Sequence, residues 1–157
     1  EQLFPRARYL HIVRDPYAVF PSTVKLWKSL FAAQSYQKPA YEGLDERVLA
    51  TFCHMYERFE ATRNCVDPRR MCDVRYEDLV QDPIEQMRRI YEQLDLGDFA
   101  PVAPAIKAYF GQRSDYRPSR YQLTAEQHAA VTDHWLPHME QYGYGPSEQP
   151  AERREAD

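Results

Sequence analysis

The first part of the chain pairs a short apolar run with a longer amphipathic one. Residues 8–13 (RYLHIV) are rich in β-branched and aromatic side chains and precede Asp15-Pro16, so they predict a β-strand buried on both faces. A helix is expected next, because apolar residues then recur every three or four positions, at Phe20, Val24, Trp27 and Phe31. Pro16 suits its first turn, whereas Pro21 lacks an N–H and is expected to bend or restart it.

A second strand is predicted over residues 71–76 (MCDVRY), surrounded by further helices. Spacing and capping residues predict these helices: one carrying Val48, Phe52, Tyr56 and Phe59, one opened by Asp82-Pro83 and stopped at Gly97, a short one within residues 101–111, and a last one opened by a Thr124–Gln127 capping box. Helices between strands indicate a parallel sheet. Two strands are too few for a stable parallel sheet, so we expect this chain to be the later portion of a larger α/β domain.

Composition limits the class of partner. The 157 residues include 20 basic and 24 acidic side chains, a net charge of −4, which excludes a nucleic-acid binder driven by bulk charge. Without a long uncharged apolar run, no membrane span is expected.

The three cysteines lack CxxC spacing and predict neither a disulfide framework nor a metal site. With no secretory signal in view, we expect a cytoplasmic location.

Candidate chemistry is concentrated after the first strand. Arg14 stands at the carboxyl end of a predicted parallel strand, where open α/β sheets bind ligands, and the next helix offers N–H groups and Ser22. A guanidinium fork and a hydroxyl suit a phosphomonoester. From spacing alone, the alternative is equally open that Arg14 pairs structurally with Asp15 or another acid.

The sequence VRDP at residues 13–16, with Ser22 eight residues after Arg14, resembles the 3′-phosphate-binding motif of the PAPS-dependent sulfotransferases. A second segment, VRYEDL at residues 74–79 followed by Asp82-Pro83, is similar to a strand-to-helix segment that these enzymes place after that motif. The resemblance implies a P-loop-like three-layer α/β/α domain with parallel strands. The resemblance covers the chain from about Arg8 to Gly145. Residues 1–145 are therefore expected to be the C-terminal part of such a domain, and residues 146–157 a polar, disordered tail.

The resemblance also implies roles for individual residues. Arg14 and Ser22 would hold the 3′-phosphate of the donor PAPS and of its product PAP, and Tyr76 would contact the adenine. Arg117 and Arg120, in a basic stretch before the final helix, would close the phosphate site. The family's 5′-phosphosulfate loop and catalytic base are not found in these residues, so the chain is expected to bind half of the nucleotide, to contribute no catalytic residue and to be inactive in isolation.

The predicted activity is therefore sulfuryl transfer from PAPS to an acceptor hydroxyl or amine, without a metal. The acceptor is open among small molecules, carbohydrates and lipids, and no nucleic-acid partner is expected. Two other classes remain as alternatives: a noncatalytic binding or scaffold module, and a relative of the P-loop kinases.

Overall fold

A computed structural model describes residues 4–112 and 122–145. The described residues form two compact units: unit 1 runs up to Asp15 and from Met55 to Gln112, and unit 2 runs from Pro16 to His54 and from Gln122 to Gly145. In chain order the elements are β1 (Tyr9–Val13), α1 (Pro16–Gln34), α2 (Leu44–Arg63), a 3-10 turn (Pro68–Arg70), β2 (Met71–Arg75), α3 (Tyr76–Gln81), α4 (Pro83–Gln93), α5 (Ala103–Gly111) and α6 (Ala125–Gln141).

Unit 1 contains the sheet. The strands β1 and β2 pair in parallel, with Tyr9 opposite Met71 and Val13 opposite Arg75, which confirms the predicted parallel pairing and the α/β class. Cys72 and Val74 of β2 are buried against α4, and Ile90 of α4 and Leu94 at its C-cap complete this small core. The helix α4 begins where Asp82 accepts a hydrogen bond from the Glu85 amide (3.1 Å), as the N-cap pattern predicts.

The prediction that β1 is buried on both faces is wrong. Leu10 and Ile12 are 43% and 49% exposed, while Val13 is buried. In the described residues the sheet has two strands, and Leu10 and Ile12 are the register partners of Cys72 and Val74. Since α4 packs on β2, it leaves the adjoining β1 side chains uncovered on the same face.

Unit 2 is helical and is centred on Trp135 of α6. The Trp135 ring stacks on Phe52 with centroids 3.8 Å apart, and its Nε1 donates to the Leu49 carbonyl (3.2 Å). Further buried apolar side chains come from all three helices of this unit, namely Phe20, Val24, Val48, Val131 and Met139. Apolar residues at helical spacing thus contribute to the core, as the pattern predicts, but Trp27 of the predicted α1 face is 42% exposed.

Two features of the unit 2 helices bear on the sequence-based expectations. The capping box of α6 is present, because Thr124 and Gln127 exchange side chain to backbone hydrogen bonds of 3.2 Å each. The expected interruption at Pro21 is not found, since α1 runs as one helix from Pro16 to Gln34. Pro21 lies in the second turn, where its missing N–H removes a single helical hydrogen bond. The predicted tail, residues 146–157, lies outside the described residues, and the predicted domain extent stays a prediction.

Candidate functional site

Arg14 and Tyr76 directly follow the two paired strands. Their preceding residues, Val13 and Arg75, are register partners, so Arg14 and Tyr76 emerge at the same carboxyl-end edge of the sheet. The Arg14 guanidinium carbon lies 4.4 Å from the centroid of the Tyr76 ring, which is a cation–π distance. The structure therefore brings these two predicted site residues into contact, while their role in binding stays a prediction.

The charge environment of the Arg14 guanidinium bears on whether it can bind an anion. No carboxylate within residues 4–112 and 122–145 forms an ion pair with it. The nearby Glu77 carboxylate instead accepts a hydrogen bond from the Asp15 amide (3.0 Å). This bond ties the turn after β1 to the start of α3. A half-buried arginine stacked on a ring keeps the N–H groups at the edge of its fork for an incoming anion.

A hydrogen-bonded network links the two strands three residues before this site. His11 Nδ1 lies 2.9 Å from Asp73 Oδ1, and His11 Nε2 lies 3.1 Å from the Tyr56 hydroxyl. Arg63 Nη2 donates to Asp73 Oδ2 at 2.6 Å. Both ring nitrogens of His11 thus have partners. The network spans β1, β2 and α2 on the face of the sheet opposite α4.

The electrostatics of this network follow from its partners. Partial burial raises the pKa of the Asp73 carboxyl, but hydrogen bonds and charge from Arg63 and His11 outweigh it, so the net shift is downward. Burial, with the negative charges of Glu60 and Asp73, raises the pKa of Tyr56 to about 12. Tyr56 is therefore held as a neutral phenol and Asp73 as a carboxylate at neutral pH.

Sequence reasoning missed this network, in which His11 and Arg63 share Asp73 as a partner. One signal was available: an aspartate in the middle of a strand, as in MCDVR, needs a cationic or donor partner when the strand is covered. The identity of that partner depends on how α2 packs on the sheet, which the strand sequence does not specify.

The position of the other predicted phosphate ligands relative to Arg14 is not tested by the described residues. Ser22 is half-buried in α1 and belongs to unit 2, whereas Arg14 belongs to unit 1. Arg117 and Arg120 lie outside the described residues. The convergence of Ser22, Arg117 and Arg120 with Arg14 therefore stays a prediction.

Comparison with known proteins identifies the family. A family model described as "Sulfotransferase family" matches residues 1–101. The chain belongs to the sulfotransferase family. Among curated relatives of this sulfotransferase-family chain are proteins from Mycobacterium bovis and Mycobacterium tuberculosis named omega-hydroxy-beta-dihydromenaquinone-9 sulfotransferase Stf3. Each is 44% identical over 143 residues, or 91% of this chain and 37% of the relative.

A solved structure shows the same fold. The crystal structure of sulfotransferase STF9 from Mycobacterium avium matches with a TM-score of 0.71 at 19% sequence identity, covering 92% of this chain and 38% of that one. The chain thus spans a little over a third of the length of the relatives that it matches. The fold agreement supports the predicted sulfotransferase-type α/β architecture, and family membership sets aside the kinase alternative.

Neither a metal-binding group nor a membrane-spanning helix is present among the described residues of this sulfotransferase-family chain. Among the described residues, no three His, Cys, Asp or Glu side chains are grouped so as to hold a metal ion. His134 and His138, which stand four apart, differ in environment: His134 Nδ1 lies 2.8 Å from the Ala130 carbonyl, whereas His138 is buried beside Phe52. None of the helices described in residues 4–112 and 122–145 combines the length and apolar character needed to cross a bilayer.

Proposed function

We propose that this chain binds the 3′-phosphate and the adenine of PAPS, for sulfuryl transfer from PAPS to an acceptor. The observation that carries the proposal is the contact between Arg14 and Tyr76 at the carboxyl-end edge of the sheet, with no described carboxylate on the guanidinium. A cationic fork beside an aromatic ring offers complementary groups to a phosphate and a purine carried on one ribose. Ser22, Arg117 and Arg120 are proposed to complete the phosphate site.

The proposed reaction forms a bond between sulfur and the acceptor oxygen or nitrogen and breaks the bond between sulfur and the 5′-phosphate oxygen, so that PAP leaves. The acceptor proton passes to a general base, and we assign no residue of this chain to that role. Arg14 and Tyr76 contribute by fixing the nucleotide, because binding energy away from the reacting atoms orients the sulfuryl group. The proposed donor site involves no metal.

The acceptor is proposed to be a hydroxyl-bearing lipid. The support is the substrate in the name of the Stf3 relatives, an omega-hydroxylated dihydromenaquinone, together with 44% identity over 91% of this chain. Sulfation of a hydroxylated menaquinone, a sugar and a phenol by the complete natural polypeptide that carries this sequence would test it. Preference for the sugar or the phenol would contradict this choice of acceptor. A cytoplasmic location remains part of the proposal, supported by three free cysteines.

Calorimetry of nucleotide binding tests the donor site directly. Arg14→Gln should weaken PAP binding by about 2–4 kcal/mol, because a charge-assisted bidentate contact is lost. Arg58→Gln, which removes an exposed arginine of α2, should leave the affinity unchanged. Tyr76→Ala should weaken PAP and adenosine 5′-phosphate alike, since both carry adenine. If the wild-type chain and the complete natural polypeptide both fail to bind PAP, the noncatalytic scaffold alternative is favoured instead.

A further inference from the structure

The second half of α1 and the connection after it carry a charge pattern unlike the rest of the chain. Residues 16–41 contain no Asp or Glu, although the chain has 24 acidic residues. The same stretch holds Lys25, Lys28 and Lys38, three of the four lysines in a chain whose other basic side chains are arginines. This stretch of sequence is therefore locally positive in a chain of net negative charge. We call residues 25–41 the lysine–aromatic surface.

Large apolar and aromatic side chains of this surface face solvent. Leu26 is 56%, Trp27 42% and Tyr36 fully exposed, while the other tryptophan, Trp135, is 1% exposed. The Trp27 and Phe31 rings lie 5.6 Å apart. Lys28 Nζ lies 5.6 Å from the Tyr41 ring centroid, and the Tyr41 hydroxyl donates to the Lys28 carbonyl (3.3 Å). The aromatic and cationic groups are therefore interleaved.

We propose that the lysine–aromatic surface docks on a lipid bilayer that carries anionic headgroups. Trp and Tyr favour the boundary between headgroups and acyl chains, where the ring is apolar and its edge remains polar. Lysines reach from such a position to phosphate with their apolar stems buried. A protein partner is disfavoured because lysine is depleted in protein interfaces, where arginine is preferred. This inference rests on unit 2 alone and does not depend on the proposed sulfuryl transfer.

Vesicle binding by the full chain tests the proposal. Trp135→Phe leaves Trp27 as the single tryptophan of the chain. With vesicles of phosphatidylcholine and phosphatidylglycerol, Trp27 emission should shift to the blue and be quenched by brominated acyl chains. Raising the salt concentration should weaken the binding, because screening reduces the attraction to the headgroups. If Trp135→Phe does not fold, cosedimentation of the wild-type chain with the same vesicles measures the binding instead.

Charge-reversal variants test whether lipid binding depends on this surface or on a general attraction of the chain to lipid. Lys28→Glu with Lys38→Glu should reduce partition into anionic vesicles by roughly tenfold or more, since each lysine near a charged bilayer contributes measurably. Lys107→Glu, in α5 of unit 1, is the matched control and should have a much smaller effect. The proposal is overturned if the wild-type chain does not bind anionic vesicles at low salt, if it binds neutral vesicles equally well, or if the control matches the double variant.

Discussion

Replacing Asp73 by asparagine tests the network that joins β1, β2 and α2. The Asp73 carboxylate accepts hydrogen bonds from Arg63 (2.6 Å) and lies 2.9 Å from His11 Nδ1. A hydrogen bond to a charged group contributes about 1.5–3 kcal/mol when it is buried. The Asp73 side chain is 35% exposed, so screening reduces that value, and asparagine keeps one accepting oxygen. We expect Asp73→Asn to lower the free energy of unfolding by about 1–2 kcal/mol at pH 7.

The direction of the Asp73 pKa shift determines how the effect of Asp73→Asn on stability changes with pH. The pKa of Asp73 is lower in the folded chain than its ordinary value of 3.8, so its contribution is present above that value and is lost as pH falls through the folded pKa. The difference in unfolding free energy between the wild type and Asp73→Asn should therefore be largest at neutral pH and should shrink in acid.

Urea denaturation from pH 7 to about pH 3 measures this difference. Asp133→Asn, which changes an exposed carboxylate on α6, is the control and should show little difference at any pH. A difference between the wild type and Asp73→Asn that stays constant as the pH falls, or grows, would refute the assignment of Asp73 as a charged partner of Arg63 and His11.

Three other predictions concern single contacts. The pKa of Tyr56 is raised to about 12 from 10.0, so its contribution to the free energy of unfolding is present below pH 10 and is lost between pH 10 and 12. The fall in stability over this range should therefore be shallower in Tyr56→Phe than in the wild type. An unchanged profile would contradict this. Thr124→Ala should destabilise the chain by about 1 kcal/mol through loss of the α6 cap, whereas the exposed Thr51→Ala should not. Trp135→Ala should cost about 3–5 kcal/mol in a urea titration, and Trp135→Phe clearly less.

The sequence predicts the elements and their order well where local signals are strong. Asp82-Pro83 and Thr124 each cap a helix through their own side chains, and this chemistry is local. The first strand was identifiable by its β-branched and aromatic residues, and the helices between the two strands implied the parallel pairing. The Arg14 position at a strand end was likewise visible from the sequence.

What the sequence could not predict depends on packing between distant segments. The exposure of Leu10 and Ile12 follows from which strand α4 covers, and no residue of β1 encodes that. The hydrogen-bond partners of His11 come from α2 and β2. The guanidinium of Arg14, which follows β1, contacts the ring of Tyr76, which follows β2. Pro21 misled the prediction because its effect in an early helical turn is small, and the packing of Phe20 and Val24 keeps the helix intact.

The central claim is that Arg14 recognises the 3′-phosphate of the nucleotide. The most direct test measures the affinity of the wild type and Arg14→Gln for PAP and for adenosine 5′-phosphate, which lacks that phosphate. We predict that the substitution weakens PAP binding by about 2–4 kcal/mol and leaves adenosine 5′-phosphate binding nearly unchanged. An equal loss for both nucleotides, or no loss for PAP, would contradict the claim.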